Sequence, residues 1–193
     1  MTHAPLRILL PLAALLAACP GPEAGVDGSA CADATNASFP NVAPNPGFEC
    51  GTPPNGWNAP LLGTLEVSAG RSGNAAKVAA KATTQGVVSL VSKDPVATAP
   101  LNGKWCVSAW LKGTGENAVI ILRRDQGGGR LLDESFFQPL TGTWTKISNS
   151  AQLDGTDVNL YVAAGFRAPQ KDQVVEVDDV EVWKSSSGRC DER

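Results

Sequence analysis

Histidine is almost absent from this 193-residue chain: His3 is the only one, just as Met1 is the only methionine. Both lie in the first eighteen residues, where Arg7 precedes an apolar run from Ile8 to Leu16. That run reads as a secretory signal and is too short to span a membrane. A chain cut after it has no imidazole, which excludes Ser-His-Asp and Cys-His catalysis and any histidine-ligated zinc. A basic stripe is missing too. Losing Arg7 takes Lys+Arg from 16 to 15 against 19 Asp+Glu, a formal charge of −4 with scattered signs, so no nucleic-acid partner is expected. No C-x-x-C pair occurs, which argues against thiolate zinc. No segment has the period of a long amphipathic helix, and no repeat recurs. Gly127-Gly128-Gly129 is followed by neither a helix nor Lys-Ser, so it is a hairpin turn rather than a phosphate loop.

The signal ends in Leu16-Ala17-Ala18-Cys19, which resembles the bacterial lipobox, where cleavage precedes the cysteine and its sulfur takes a diacylglycerol. The alternative is an ordinary exported protein cut after an A-x-A-like site. Residues 1–18 are thus expected to be a lipoprotein signal peptide. Residues 19–38, rich in Pro, Gly, Ala, Asp and Ser, form a flexible tether from the lipid on Cys19. Residues 39–184 make one domain and 185–193 a C-terminal tail. The expected location is the bacterial cell envelope, lipid-anchored at the outer membrane or cell surface.

Four further cysteines, Cys31, Cys50, Cys106 and Cys190, imply disulfides in an exported chain, with three pairings open. The preferred one joins Cys31 to Cys190, tying the ends, and Cys50 to Cys106. Each bond contributes on the order of 3–5 kcal/mol, chiefly by restricting the unfolded chain.

Within the domain the apolar period is two. Val158, Leu160 and Val162 alternate with Asn159 and Tyr161, and Val107, Ala109 and Leu111 alternate with Cys106, Ser108 and Trp110. Seven further strands are expected over 64–68, 75–80, 86–92, 117–124, 131–137, 143–148 and 174–183, separated by Gly-, Pro- and Asp-rich turns. Nine or ten short strands at this spacing predict an all-β jelly-roll sandwich of two antiparallel sheets.

Asn45-Pro46-Gly47-Phe48-Glu49 with Gly56-Trp57, Ser72-Gly73-Asn74, the run Trp105 to Lys112, Gly142 to Ile147 and Val177-Asp178-Asp179-Val180 follow one another along the chain. In that order they resemble the carbohydrate-binding modules attached to xylanases and cellulases, families four, nine and twenty-two, with a galactose-binding-domain-like fold. The resemblance implies that Phe48, Trp57 and Trp144 pack between the sheets. It also implies a structural calcium held by Glu49 and by Asp178 or Asp179, with backbone carbonyls completing the shell. The residues agree at one point: Val175 and Val177 share one parity and Val180 and Val182 the other, so a bulge is expected at Asp178-Asp179. Cys50 directly after Glu49 departs from the usual pattern. The bland alternative is a pair of solvated aspartates.

Trp110 and Tyr161 are each out of phase with the apolar residues of their strands. If both share one concave face, with Arg123, Asp125 or Gln138 nearby, that face is a glycan platform. The alternative is that loops cover the face and the rings fill a second small core. The expected function is a non-catalytic, carbohydrate-binding surface lipoprotein. The other reading is a structural or adhesive lipoprotein using the same jelly roll for a protein partner. A glycosidase needs two carboxylates across a cleft, and nothing in the pattern places Asp125, Asp133 or Glu134 in that way.

Overall fold

The computed structural model describes residues 41–126, 129–134 and 137–191. The signal, Cys19, the tether and Cys31 therefore lie outside the described residues. The described chain is entirely β: β1 (Trp57–Asn58), β2 (Gly63–Ala69), β3 (Asn74–Ala80), β4 (Val87–Ser92), β5 (Ala97–Gln126), β6 (Gly129–Glu134), β7 (Gln138–Thr141), β8 (Thr145–Arg167) and β9 (Val174–Lys184). Hydrogen bonding runs β1-β4-β8-β5-β9-β3-β2, with β6 and β7 added to β5.

The short strands expected from alternation are present, save that the one expected over 131–137 is seen as β6 to Glu134, with 135–136 outside the described residues and Phe137 outside a strand, and two pairs of them are continuous. β5 and β8, 30 and 23 residues long, each serve both layers of the sandwich. Asn102–Leu111 pairs with 145–154 in the first layer, alongside β9, β3 and β2. Ala118–Gln126 then pairs with 157–166 in the second layer, alongside β4, β1 and β6. The register of β5 against β8 breaks between Leu111 and Ala118. Gly115 there takes φ +116, a left-handed value that a side chain resists, so the long strand bends from one layer into the other at this point.

The core lies between the layers and is built from one parity of each strand. Val107, Ala109 and Leu111 meet Ile120 and Leu122 of the same β5 and Leu160, Val162 and Phe166 of β8, all at 0% exposure. Phe48 and Trp57 close one end, their ring centroids 5.3 Å apart.

Asn45 organises the stretch that carries these two rings. Its Nδ2 donates to the carbonyl of Cys50 at 2.8 Å and its Oδ1 accepts from Cys50 N at 3.3 Å. Its own carbonyl takes Phe48 N at 3.0 Å and Trp57 Nε1 at 3.4 Å. With φ at +40, the residue is an asparagine where few other side chains are tolerated. The chain before it docks on β9: Asn41 Nδ2 donates to Val180 O at 2.9 Å, and its Oδ1 accepts from Val182 N at 2.8 Å.

That docking explains the expected bulge, which is present. Between Ser108 and Trp110 the register against β9 jumps from Glu181 to Asp178, so two residues of β9, Asp179 and Val180, face one of β5, and Asp179 adopts φ +47. Before the bulge β9 pairs with β3, and after it residues 41–46 take over that edge.

Two expectations are corrected. Cys106 is bonded to Cys190, Cα–Cα 5.6 Å, so neither Cys50–Cys106 nor Cys31–Cys190 forms. The reason is local: Cys106 lies opposite Trp183 in the β5–β9 ladder, and the chain leaves β9 at Lys184, so the tail crosses the outer side of the first layer where Cys106 points. Cys50 is also disulfide-bonded. Trp144, expected between the sheets, is half-buried and outside the core, whereas Trp183 is 1% exposed.

Candidate functional site

The outer side of the second layer is set by the parity opposite to the core. Along β5 it carries Val119, Ile121, Arg123 and Asp125, and along β8 it carries Tyr161 and Ala163. Val119, Ile121 and Ala163 are 0–4% exposed and pack with Val87 and Val91 into a second, smaller cluster. The middle of this face is therefore closed to a ligand. Its end is open: Arg123 and Tyr161 are register partners, and the guanidinium lies 3.7 Å over the phenol ring. Asp125 Oδ1 holds both arginines of this end, 3.6 Å from Arg123 Nε and 3.7 Å from Arg130 Nε. Leu132, across from Arg123 on β6, is about half exposed. Arg123 Nε is buried and makes no hydrogen bond among the described residues.

Three of the five residues expected at a binding face, Tyr161, Arg123 and Asp125, are thus brought together. Trp110 is not with them. It lies outward from the first layer, opposite Lys146 and Asp178, with the Arg71 guanidinium 3.9 Å over its ring. Gln138, on β7, pairs with Ala118, which points into the core five residues from Arg123, roughly 16 Å along the strand. Both rings do face outward as their parity indicates. They do so from different layers, because β5 changes layer between Trp110 and Arg123.

Glu49 and Asp178 converge on the turn between β2 and β3. Gly70 N donates to Gly73 O at 2.9 Å, Asp178 Oδ2 accepts from Arg71 N at 2.7 Å, and Glu49 Oε1 accepts from Asn74 N at 2.9 Å. A Cβ on Gly73 would fall 2.1 Å from Glu49 Oε1, and one on Gly70 would fall 2.6 Å from Asp178 Oδ2. At Gly73 the Glu49 carboxylate occupies that space, and at Gly70 the backbone carbonyl of Asn74, 2.3 Å from the Cβ position, shares it with Asp178. Asp178 is 0% exposed, and burial, helped by the charge of Asp179, pushes its carboxyl above the usual carboxylate range against the N–H donors of Arg71 and Asp179. Asp179 is directed elsewhere, into an ion pair with Arg71. Among the described residues no group of three or more His, Cys, Asp or Glu is placed to hold a metal. Glu49 and Asp178 are the hard-oxygen carboxylates beside this turn, and among the described residues buried Asp178 has no cationic side chain paired with it.

A cluster missed from the sequence sits behind the Tyr161 end. Arg124 donates from Nε to Asp133 Oδ2 at 2.5 Å and from Nη1 to Asp157 at 3.3 and 3.4 Å. The Asp157 side chain is wholly buried. Burial alone would lower the Arg124 pKa, but the two carboxylates outweigh it and raise it, so the guanidinium stays charged. The signal was in the alternation: Arg124 is in phase with Ile120 and Leu122, and an inward-facing cation requires a buried acid.

This fold is that of the family 22 carbohydrate-binding modules. The CBM22-1 xylan-binding domain of Paenibacillus barcinonensis Xyn10C matches with a TM-score of 0.55 at 15% identity, over 72% of this chain and 93% of that domain. The CBM22-1–GH10 modules of Clostridium thermocellum endo-1,4-β-D-xylanase 10B, complexed with xylohexaose, match with a TM-score of 0.56 at 15% identity. Here 73% of this chain corresponds to 28% of that longer one. The C-terminal family 22 module of Clostridium thermocellum Xyn10B gives 0.52 at 14% identity, over 68% of this chain and 87% of the module. No protein-family model and no curated protein sequence matches the chain.

Proposed function

We propose that this protein is a non-catalytic glycan-binding module that takes a neutral polysaccharide at the Tyr161 end of its second layer. The observation that carries this reading is the Arg123–Tyr161 stack braced by Asp125. A guanidinium centred 3.7 Å over a phenol ring is held as a platform whose rim N–H groups suit vicinal hydroxyls, and the exposed Leu132 beside it offers an apolar surface to a pyranose ring. Xylan binding by a module of the same fold supports the ligand class. Catalysis is disfavoured by the carboxylates themselves: Asp125 is engaged by two arginines, and Asp157 is buried on Arg124. The test is retention of the purified exported chain on insoluble neutral polysaccharides. The reading fails if none retains it, or if Tyr161→Ala is retained as well as the parent chain. Capture of a protein partner with no glycan retained would favour the adhesive alternative.

Two further parts of the reading concern what holds the module in place. Glu49 and Asp178 would bind a structural calcium across the Gly70–Gly73 turn, joining the opening segment to β9 and supplying the positive charge that buried Asp178 lacks. Removing divalent ions with a chelator is then expected to lower the melting temperature by several degrees, with recovery on adding calcium but not magnesium; an unchanged melting curve rejects the ion. The lipid anchor on Cys19 and a location in the bacterial envelope follow from the Leu16–Cys19 signal. Cys19→Ala is expected to move the protein from the membrane fraction to the soluble one, and a variant that stays with the membranes would contradict the anchor.

A further inference from the structure

The outer side of the first layer holds aromatic and polar groups that the site above does not use. Trp144, just before β8, stands beside Lys112, whose Nζ is 5.6 Å from the ring centroid. Trp110 is its neighbour along the β5–β8 ladder, opposite Lys146. The ladder then runs into a cleft of ≈ 360 Å³ bounded by Ser108, Lys146, Ser148, Trp183, Cys190 and Asp191. Its far wall is the C-terminal tail, which the Cys106–Cys190 bond pins to the sheet.

The electrostatics select the ligand. Lys77 pairs with Glu66, Lys112 with Glu176, Lys146 with Glu181 and Arg71 with Asp179. A face dense in charge but balanced pair by pair has no attraction for a polyanion or an anionic membrane, yet it presents many donors and acceptors. The Lys112 contact lies near the outer limit of a cation–π interaction and is weak enough to be displaced from Trp144, whereas Arg71 closes one side of Trp110 at 3.9 Å. Trp144 is therefore the stacking surface, and the Ser148 and Lys146 side chains are the polar groups of the cleft, with buried Ser108 beneath them bonded to Glu181 at 3.0 Å.

We infer that this face is a second saccharide-binding surface, for a chain of uncharged pyranoses lying from Trp144 into the cleft beneath the tail. It shares a ligand class with the Tyr161 site but none of its residues, so the two can fail separately. The experiment is a titration of the isotope-labelled exported chain carrying Tyr161→Ala with xylohexaose, cellohexaose and mannohexaose, followed by amide and indole NMR shifts. At least one sugar is expected to shift the Trp144 indole and the Ser108, Lys146 and Ser148 amides, with at least tenfold weaker binding in Trp144→Ala and in Lys146→Met. Overturning results are silence of this face with all three sugars, binding unchanged by either substitution, or shifts that follow protein concentration and mark self-association. A response in the parent chain that vanishes entirely with Tyr161→Ala sinks this surface and leaves the first site standing.

Discussion

Asp157→Asn is expected to lower the unfolding free energy by about 3 kcal/mol, measured by urea denaturation followed through tryptophan fluorescence. The size follows from burial. The Asp157 side chain has no exposure, both its oxygens face Arg124 Nη1, and losing its charge leaves a largely buried guanidinium with Asp133 as its remaining acidic partner. The exposed pair Lys77–Glu66, 3.9 Å apart, sets the comparison: Glu66→Gln should cost well under about 1 kcal/mol. The effect reaches function as well. Asp157 belongs to the segment of β8 that pairs with β5 in both layers, and Asp133 ties β6 to the same arginine, so the cluster holds the strands from which Tyr161, Arg123 and Leu132 project. Equal stability of Asp157→Asn and the parent chain would show that the cluster is not what fixes this end of the sandwich.

Tyr161→Ala is expected to weaken glycan binding at its site at least tenfold, about 1.4 kcal/mol, with little change in melting temperature. The half-buried ring is the seat of Arg123, so its removal loses the orientation of the guanidinium and with it the platform beside Leu132. Arg123→Ala should produce a loss of similar size, whereas Arg123→Lys should recover little, because a lysine cannot lie flat on the ring or reach two hydroxyls at once. Trp110→Ala serves as the control. It projects from the other layer and should leave affinity at the Tyr161 end unchanged, as isothermal titration can check.

Alternation carried the sequence reading a long way. It located the strands, showed that Trp110 and Tyr161 both face away from the core, and placed a bulge at Asp178-Asp179, where β9 changes its neighbour from β3 to residues 41–46. It could not assign layers. Parity says which side of its own strand a residue occupies, but β5 crosses from one sheet to the other near Gly115, and nothing in the alternation marks which half belongs to which sheet. Two misplacements were avoidable on parity alone. Trp144 is out of phase with Ile147, Ala151 and Leu153, which face inward, and Cys106 is out of phase with Val107 and Ala109, which points its sulfur toward the tail rather than into the sandwich. Asn45 was legible as a turn residue, but its hold on Cys50 and Trp57 depends on side-chain geometry that spacing does not encode.

The central claim is that a neutral glycan is held at the Arg123–Tyr161 stack. The most direct measurement is a crystal structure of the exported chain soaked with an oligosaccharide of whichever polysaccharide retains it. The account predicts a pyranose ring against Leu132 and the Arg123–Tyr161 platform, with hydroxyls bonded to the guanidinium rim and to Asp125 or Arg130. Sugar bound elsewhere on the protein, with the Arg123–Tyr161 stack untouched, would contradict it.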